Sequence, residues 1–167
     1  MSRVIYGALA GICATMAMTA AMRALHSQLD REDRYPLPPR EITQGTLPVR
    51  GEAAAASTML AHFGFGAAAG AVYGVLPKGI PGLVYGPLVW FASYLGWVPA
   101  ARILIPATRH PPERNLLMIA VHLVWGACLS LGVRELEASA RSIFASGSLD
   151  DRVQGDDVTG GLLRGSH

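Results

Sequence analysis

Apolar positions in this chain run in four long uncharged blocks, Val4–Met22, Ala53–Pro77, Gly79–Ala101 and Asn115–Val133. Each block is at least 19 residues long, and about 20 residues at 1.5 Å rise cover a hydrocarbon core of about 30 Å. The pattern predicts an all-α integral membrane protein of four transmembrane helices over residues 4–25, 53–76, 80–104 and 115–134. Residues 1–146 would form the membrane domain, with 147–167 as a disordered polar tail rich in Gly, Ser and Asp. Glu135–Phe144 can continue the last helix.

The connections follow from backbone chemistry. Tyr35-Pro36-Leu37-Pro38-Pro39 forces extended backbone, because proline fixes φ and disfavours helix in the residue before it. Glu41–Gln44 can form a short turn. Pro77-Lys78-Gly79 predicts a tight turn that makes spans two and three an antiparallel pair. Span three holds Pro81, Pro87 and Pro99 with Gly82, Gly86 and Gly96, and proline inside a membrane helix predicts a kink.

Composition sharpens the picture. Apolar residues are 51% and charged residues 16% of the chain, against about 25% charged in a soluble domain. A net charge of +2 is too small for a nucleic-acid surface, so nucleic acid is not an expected partner. The lipid bilayer is, and a homo-oligomer is possible. Cys13 and Cys128 both fall inside spans, which rules out disulfide-framework and zinc-knuckle spacings; the ordinary role for each is a small packing residue. Arg3 and the apolar run after it imitate a signal peptide, but the run exceeds an h-region of 7–15 residues.

The spans resemble one another. Tyr6-Gly7-x-Leu9 precedes Arg23 as Tyr85-Gly86-x-Leu88 precedes Arg102, and His62-x-x-Phe65-Gly66-Ala67 matches His122-x-x-Trp125-Gly126-Ala127. Pro38-Pro39-Arg40-Glu41 and Pro111-Pro112-Glu113-Arg114 mark the two inter-hairpin loops. These landmarks predict a duplicated helical hairpin, a parallel repeat about an axis along the membrane normal.

His62 and His122 form the candidate buried polar site, since ionisable side chains within spans are expensive and usually face the bundle interior. Both head rows of small residues at four-residue spacing, Gly66, Gly70 and Gly74 in one span and Gly126 and Ser130 in the other, which let helix backbones approach closely. Counted from one surface, the histidines lie about 13 and 10 Å deep, so the rings could meet. The commonest role for such a residue is a bond that locks the bundle; proton or substrate contact and metal or haem ligation are the alternatives. A single replacement would cost about 1–3 kcal/mol if it stranded a buried partner. Arg23 and Arg102 end their spans as candidate headgroup or pore-mouth residues. Trp90, Trp97, Trp125, Tyr85 and Tyr94 read as packing and interfacial anchors.

Basic residues number eight on the side of loops 26–52 and 102–114 against four near the membrane on the other. The positive-inside rule then puts both loops in the cytoplasm. No span holds a carboxylate, and no catalytic, metal or cofactor motif appears. The expectation is therefore a non-enzymatic structural or accessory bundle without cofactor. A small oligomeric transporter or channel subunit with a polar path past His62 and His122 is the first alternative, and a haem- or metal-binding redox protein the second.

Pro36-Leu37-Pro38-Pro39-Arg40 after the first span and His122-Leu123-Val124-Trp125 in the last resemble the YagU-like bacterial inner-membrane proteins. The resemblance rests on these two motifs and the span layout. It implies a bacterial inner membrane and supplies no catalytic residues.

Overall fold

The computed structural model describes residues 2–27, 52–102 and 112–142. The proline loop after the first helix, the turn before Pro112 and the tail from Gly147 lie outside the described residues. Every regular element among the described residues is helical: α1 (Ser2–Ser27), α2 (Glu52–Val75), α3 (Gly82–Phe91) with a π-helical segment (Ala92–Trp97) and a last helical turn (Val98–Ala100), and α4 (Pro112–Ser142). Three helices, α1, α2 and α4, are long and apolar enough to cross a membrane. The third expected span is instead segmented.

Its break has a local cause. Pro99 carries no backbone N–H, and its ring crowds the carbonyl four residues earlier. The chain avoids that clash with a wider turn, in which Val98 N–H bonds to Ser93 O rather than one residue nearer. Gly96 absorbs the distortion at φ −104°, ψ −106°, a conformation that costs glycine least. Arg102 then closes the run with φ 58°.

Helix pairing departs from the simple hairpin expected of spans two and three. The close partners are α1 with α2, α1 with α4, and α3 with α4. Neighbouring contacts make each of these pairs antiparallel: Gly7 lies against Gly70 and Gly11 against Gly66, while Gly82 lies against Gly126 and Gly86 against His122. Between α1 and α4, Arg3 pairs with Glu137 and Thr15 meets Trp125. α2 and α3 touch mainly through aromatic side chains, Tyr73 with Tyr85 at 5.0 Å and Phe65 with Trp97 at 6.2 Å between ring centres.

The core runs along α1 and α4. Ala10, Ala14, Met18 and Met22 of α1 pack with Leu117, Met118, Val121, Trp125, Leu129 and Val133 of α4, and Tyr73, Tyr85, Trp90 and Tyr94 join them. The outward faces are apolar too. Ile5, Leu9, Leu60, Val72, Leu83, Leu88, Leu116 and Leu131 are all exposed, as befits helices whose outer solvent is lipid. Cys13 belongs to that outer face, which corrects the expectation that it packs between helices; Cys128 does lie against the core.

Candidate functional site

Glycine decides how closely the helices approach. A Cβ on Gly70 would fall within the Gly7 carbonyl, and one on Gly66 would overlap the Thr15 hydroxyl. Gly74 faces the backbone of Arg3 and Val4, and Gly126 faces Gly82. Ser130 faces Gly82 as well. The small residues singled out in the sequence thus all sit at helix contacts. Their partners Gly7, Gly11, Gly82 and Gly86 are not among the packing residues expected from the sequence, although Gly7 and Gly11, and Gly82 and Gly86, stand at the same four-residue spacing.

The two halves differ in register. Gly7 and Gly86 match in the sequence comparison, yet Gly7 faces Gly70 and Gly74 whereas Gly86 faces His122 and Gly126. Under the same comparison those partners lie two helical turns apart. α3 has slid along α4, so that its first residue, Gly82, starts beside Gly126 and Ser130. Glu137, level with Arg3 of α1, is roughly two to three turns further on along α4. A recess is left above the start of α3.

Both candidate histidines are half-buried. Nε2 of His62 lies 3.3 Å from Oγ1 of Thr19 on α1, and that hydroxyl lies 2.7 Å from Thr15 O. A hydroxyl has one proton, and the Thr15 carbonyl can only accept it. His62 Nε2 must therefore donate, leaving Nδ1 with its lone pair. Nδ1 of His122 lies 2.7 Å from Met118 O, one turn back on its own helix, so Nδ1 donates and Nε2 keeps its lone pair.

The rings share a depth. Thr19 meets His62 directly, and His122 stands one turn from Trp125, whose Nε1–H donates to Thr15 Oγ1 at 3.1 Å. Thr15 and Thr19 are also one turn apart, so the histidines flank the same turn of α1 from two helices. No bond joins the rings. His62 reaches across to α1, and His122 folds back on α4.

Neither interaction strands a partner when a ring is removed. Thr19 keeps its bond to Thr15 O, and Met118 O remains in its helix. We expect His62→Ala and His122→Ala each to cost about 1 kcal/mol or less, near the mean of about 0.6 kcal/mol for hydrogen bonds between membrane helices. Unfolding titrations in detergent would measure this, and a loss above about 3 kcal/mol for either would show that the ring holds more than these bonds.

Around the histidines, Thr15 is 1% exposed and donates to Gly11 O at 2.8 Å. The resulting polar chain runs from His62 through Thr19 to Thr15 and Trp125, tying α2, α1 and α4. Among the described residues no three His, Cys, Asp or Glu side chains gather as a metal would need. Two imidazoles are fewer donors than a closed structural zinc site uses.

Arg23 and Arg102 are both exposed. Arg114, which the sequence reading counts among the loop charges, is instead buried, with Nη2 3.4 Å from the Tyr94 hydroxyl. Trp90, Trp125, Tyr85 and Tyr94 are buried, and Trp97 is exposed. Tyr85 donates to Ala69 O at 2.7 Å and Tyr73 to Ile80 O at 2.8 Å, so each ring packs while its hydroxyl finds a carbonyl.

No protein family, curated protein or solved structure matches this chain.

Proposed function

We propose that the chain is a four-span bacterial inner-membrane protein of the YagU-like type, acting as a structural or accessory helical bundle rather than an enzyme. The segmented run from Gly82 to Ala100 would be the fourth crossing. The observation that carries the reading is glycine-to-backbone packing in both α1–α2 and α3–α4. Such faces give a bundle its fixed geometry without a hydrophobic driving force between helices. Both hairpins use it, which supports their origin as a duplicated unit, with α3 slid in the second copy. A homo-oligomer would use the exposed apolar faces, and the loops 26–52 and 102–114 would be cytoplasmic.

Reporter fusions at residues 45, 78, 110 and 150 test the topology. Positions 45 and 110 should report the cytoplasm, and 78 and 150 the opposite side. A segment from Gly82 to Ala100 that only dips into the bilayer would give 78 and 110 the same readout.

A second reading, a small oligomeric transporter or channel subunit, is favoured by one arrangement. His62 Nδ1 and His122 Nε2 keep their lone pairs at one depth beside the Thr19–Thr15 chain, and each such nitrogen can accept a hydrogen bond from a passing polar solute. Proteoliposomes under a pH gradient should then show flux that the His62→Ala/His122→Ala double variant abolishes. Equal flux with and without the substitutions would remove this reading.

A further inference from the structure

The recess above α3 holds a cavity of about 360 Å³ lined by Arg3, Tyr73, Lys78–Gly82, Ser130, Val133, Arg134 and Glu137. Four of those residues are charged, and their arrangement is uneven. Arg3 is committed. Its Nη1 donates to Leu76 O at 2.6 Å and Gly74 O at 3.3 Å, and its Nε stands 3.3 Å from Glu137 Oε1. Glu137, the one carboxylate among the lining residues, is thereby neutralised.

Lys78 and Arg134 are not neutralised. Lys78 is exposed and makes no hydrogen bond or ion pair among the described residues, and Arg134 makes only a 3.3 Å bond from Nε to Ser130 O. The lining therefore carries a surplus of two positive charges, on side chains whose ammonium and guanidinium groups are free to reach an acceptor. The base of the cavity adds to the same sign. Gly82 begins α3 with no side-chain cap after Pro81, and the first amides of a helix have no acceptor within it and carry partial positive charge.

Tyr73, Ile80, Pro81 and Val133 supply an apolar wall beside these groups. The whole assembly stands at the end of the bundle where α1 begins and α2 ends, which is the level of a membrane interface on the four-span reading proposed above, and the inference rests on that reading. Lys and Arg groups beside an apolar wall suit a phosphate group on an apolar body, because each can make charge-assisted hydrogen bonds to phosphate oxygens.

We propose that this cavity binds a phosphate group, that of an anionic phospholipid headgroup, with Lys78 and Arg134 as its ligands and Arg3 as the residue that holds the cavity open. Arg3 does so by tying the end of α2 to α4 through Gly74, Leu76 and Glu137. The slide of α3 supplies the volume, and the exposed cations supply the selectivity.

The test uses the full-length protein in detergent, titrated with phosphatidylglycerol, phosphatidylcholine, glycerol phosphate and inorganic phosphate, with bound species counted by native mass spectrometry. Phosphatidylglycerol should be retained at least about tenfold more tightly than phosphatidylcholine. Lys78→Gln and Arg134→Gln should each weaken it about fivefold and the double variant about thirtyfold, since a basic side chain near anionic lipid contributes about one such factor. Lys78→Arg should keep the native preference. Both positions are exposed, so circular dichroism of the variants should match the native protein. Tight binding of inorganic phosphate or glycerol phosphate, lost in the double variant, would keep the phosphate site and overturn the lipid as its source. Equal retention of the two phospholipids, or retention unchanged in the folded double variant, would overturn the site.

Discussion

Gly126→Leu is expected to pry α3 from α4 and to cost about 3 kcal/mol, the upper end of what overpacking costs. A side chain at residue 126 would meet the Gly82 carbonyl and then Gly86 N. Both are backbone atoms, so no rotamer change relieves the overlap and the helix axes must separate. Separation would also lift Gly86 from the His122 carbonyl and Gly82 from Ser130. Gly70→Leu should do the same to α1 and α2, where the blocking groups are the Gly7 carbonyl and the Gly11 backbone. Gly64 is the control: it lies on the same helix as Gly70, and a Cβ there meets nothing within 4 Å. Gly64→Ala should be neutral or stabilising by about 0.5–1 kcal/mol, because glycine loses most conformational freedom in a helix. Reversible unfolding in detergent would read all three. If Gly126→Leu unfolds no more easily than Gly64→Ala, close backbone packing is not what fixes this bundle.

Removal of the Trp125 ring is the second large effect. Trp125 is 3% exposed, stacks on Tyr85 with ring centres 6.1 Å apart and donates to Thr15. Trp125→Ala should cost about 3–5 kcal/mol, the range for deleting a buried aromatic side chain. In lipid the loss comes from forfeited contacts and an empty volume rather than from hydration. The hydrogen bond is the smaller part. Thr15→Val keeps the volume and removes the acceptor, and should cost about 0.6–1.7 kcal/mol. A double-mutant cycle of Thr15→Val with Trp125→Phe separates the two contributions. If Thr15→Val alone reproduces most of the Trp125→Ala loss, the bond rather than the ring governs the contact between α1 and α4.

These expectations divide according to what a linear chain can encode. The positions of α1, α2 and α4 follow from uncharged runs, because a bilayer forces every backbone group to bond within its own segment. Their bounds agree within a few residues, and α4 runs on through Arg134 to Ser142 as the continuation over Glu135–Phe144 anticipates. The small-residue rows on α2 and α4 were equally legible, since a four-residue spacing puts them on one helix face. His62 and His122 were legible as candidates by residue type, and their shared depth by counting rise.

Pairing was legible in part. The duplicated hairpin anticipates α1 with α2 and α3 with α4, but the close contact of α1 with α4, rather than of α2 with α3 across Pro77-Lys78-Gly79, depends on which faces meet. The slide of α3 depends on Gly82 and Gly86 seating against Gly126 and His122, a fit between distant segments that no local pattern carries. The His62 bond likewise depends on which helix stands opposite: Thr19 became its partner only because α1 packs against α2. The cavity at Arg3, Lys78 and Arg134 is the furthest consequence. The sequence by itself determined that this chain enters a membrane as apolar helices and that glycine lines their faces, because length and composition answer to the bilayer. Tertiary structure alone decided which faces meet and at what register, because those rest on contacts between residues far apart in the chain.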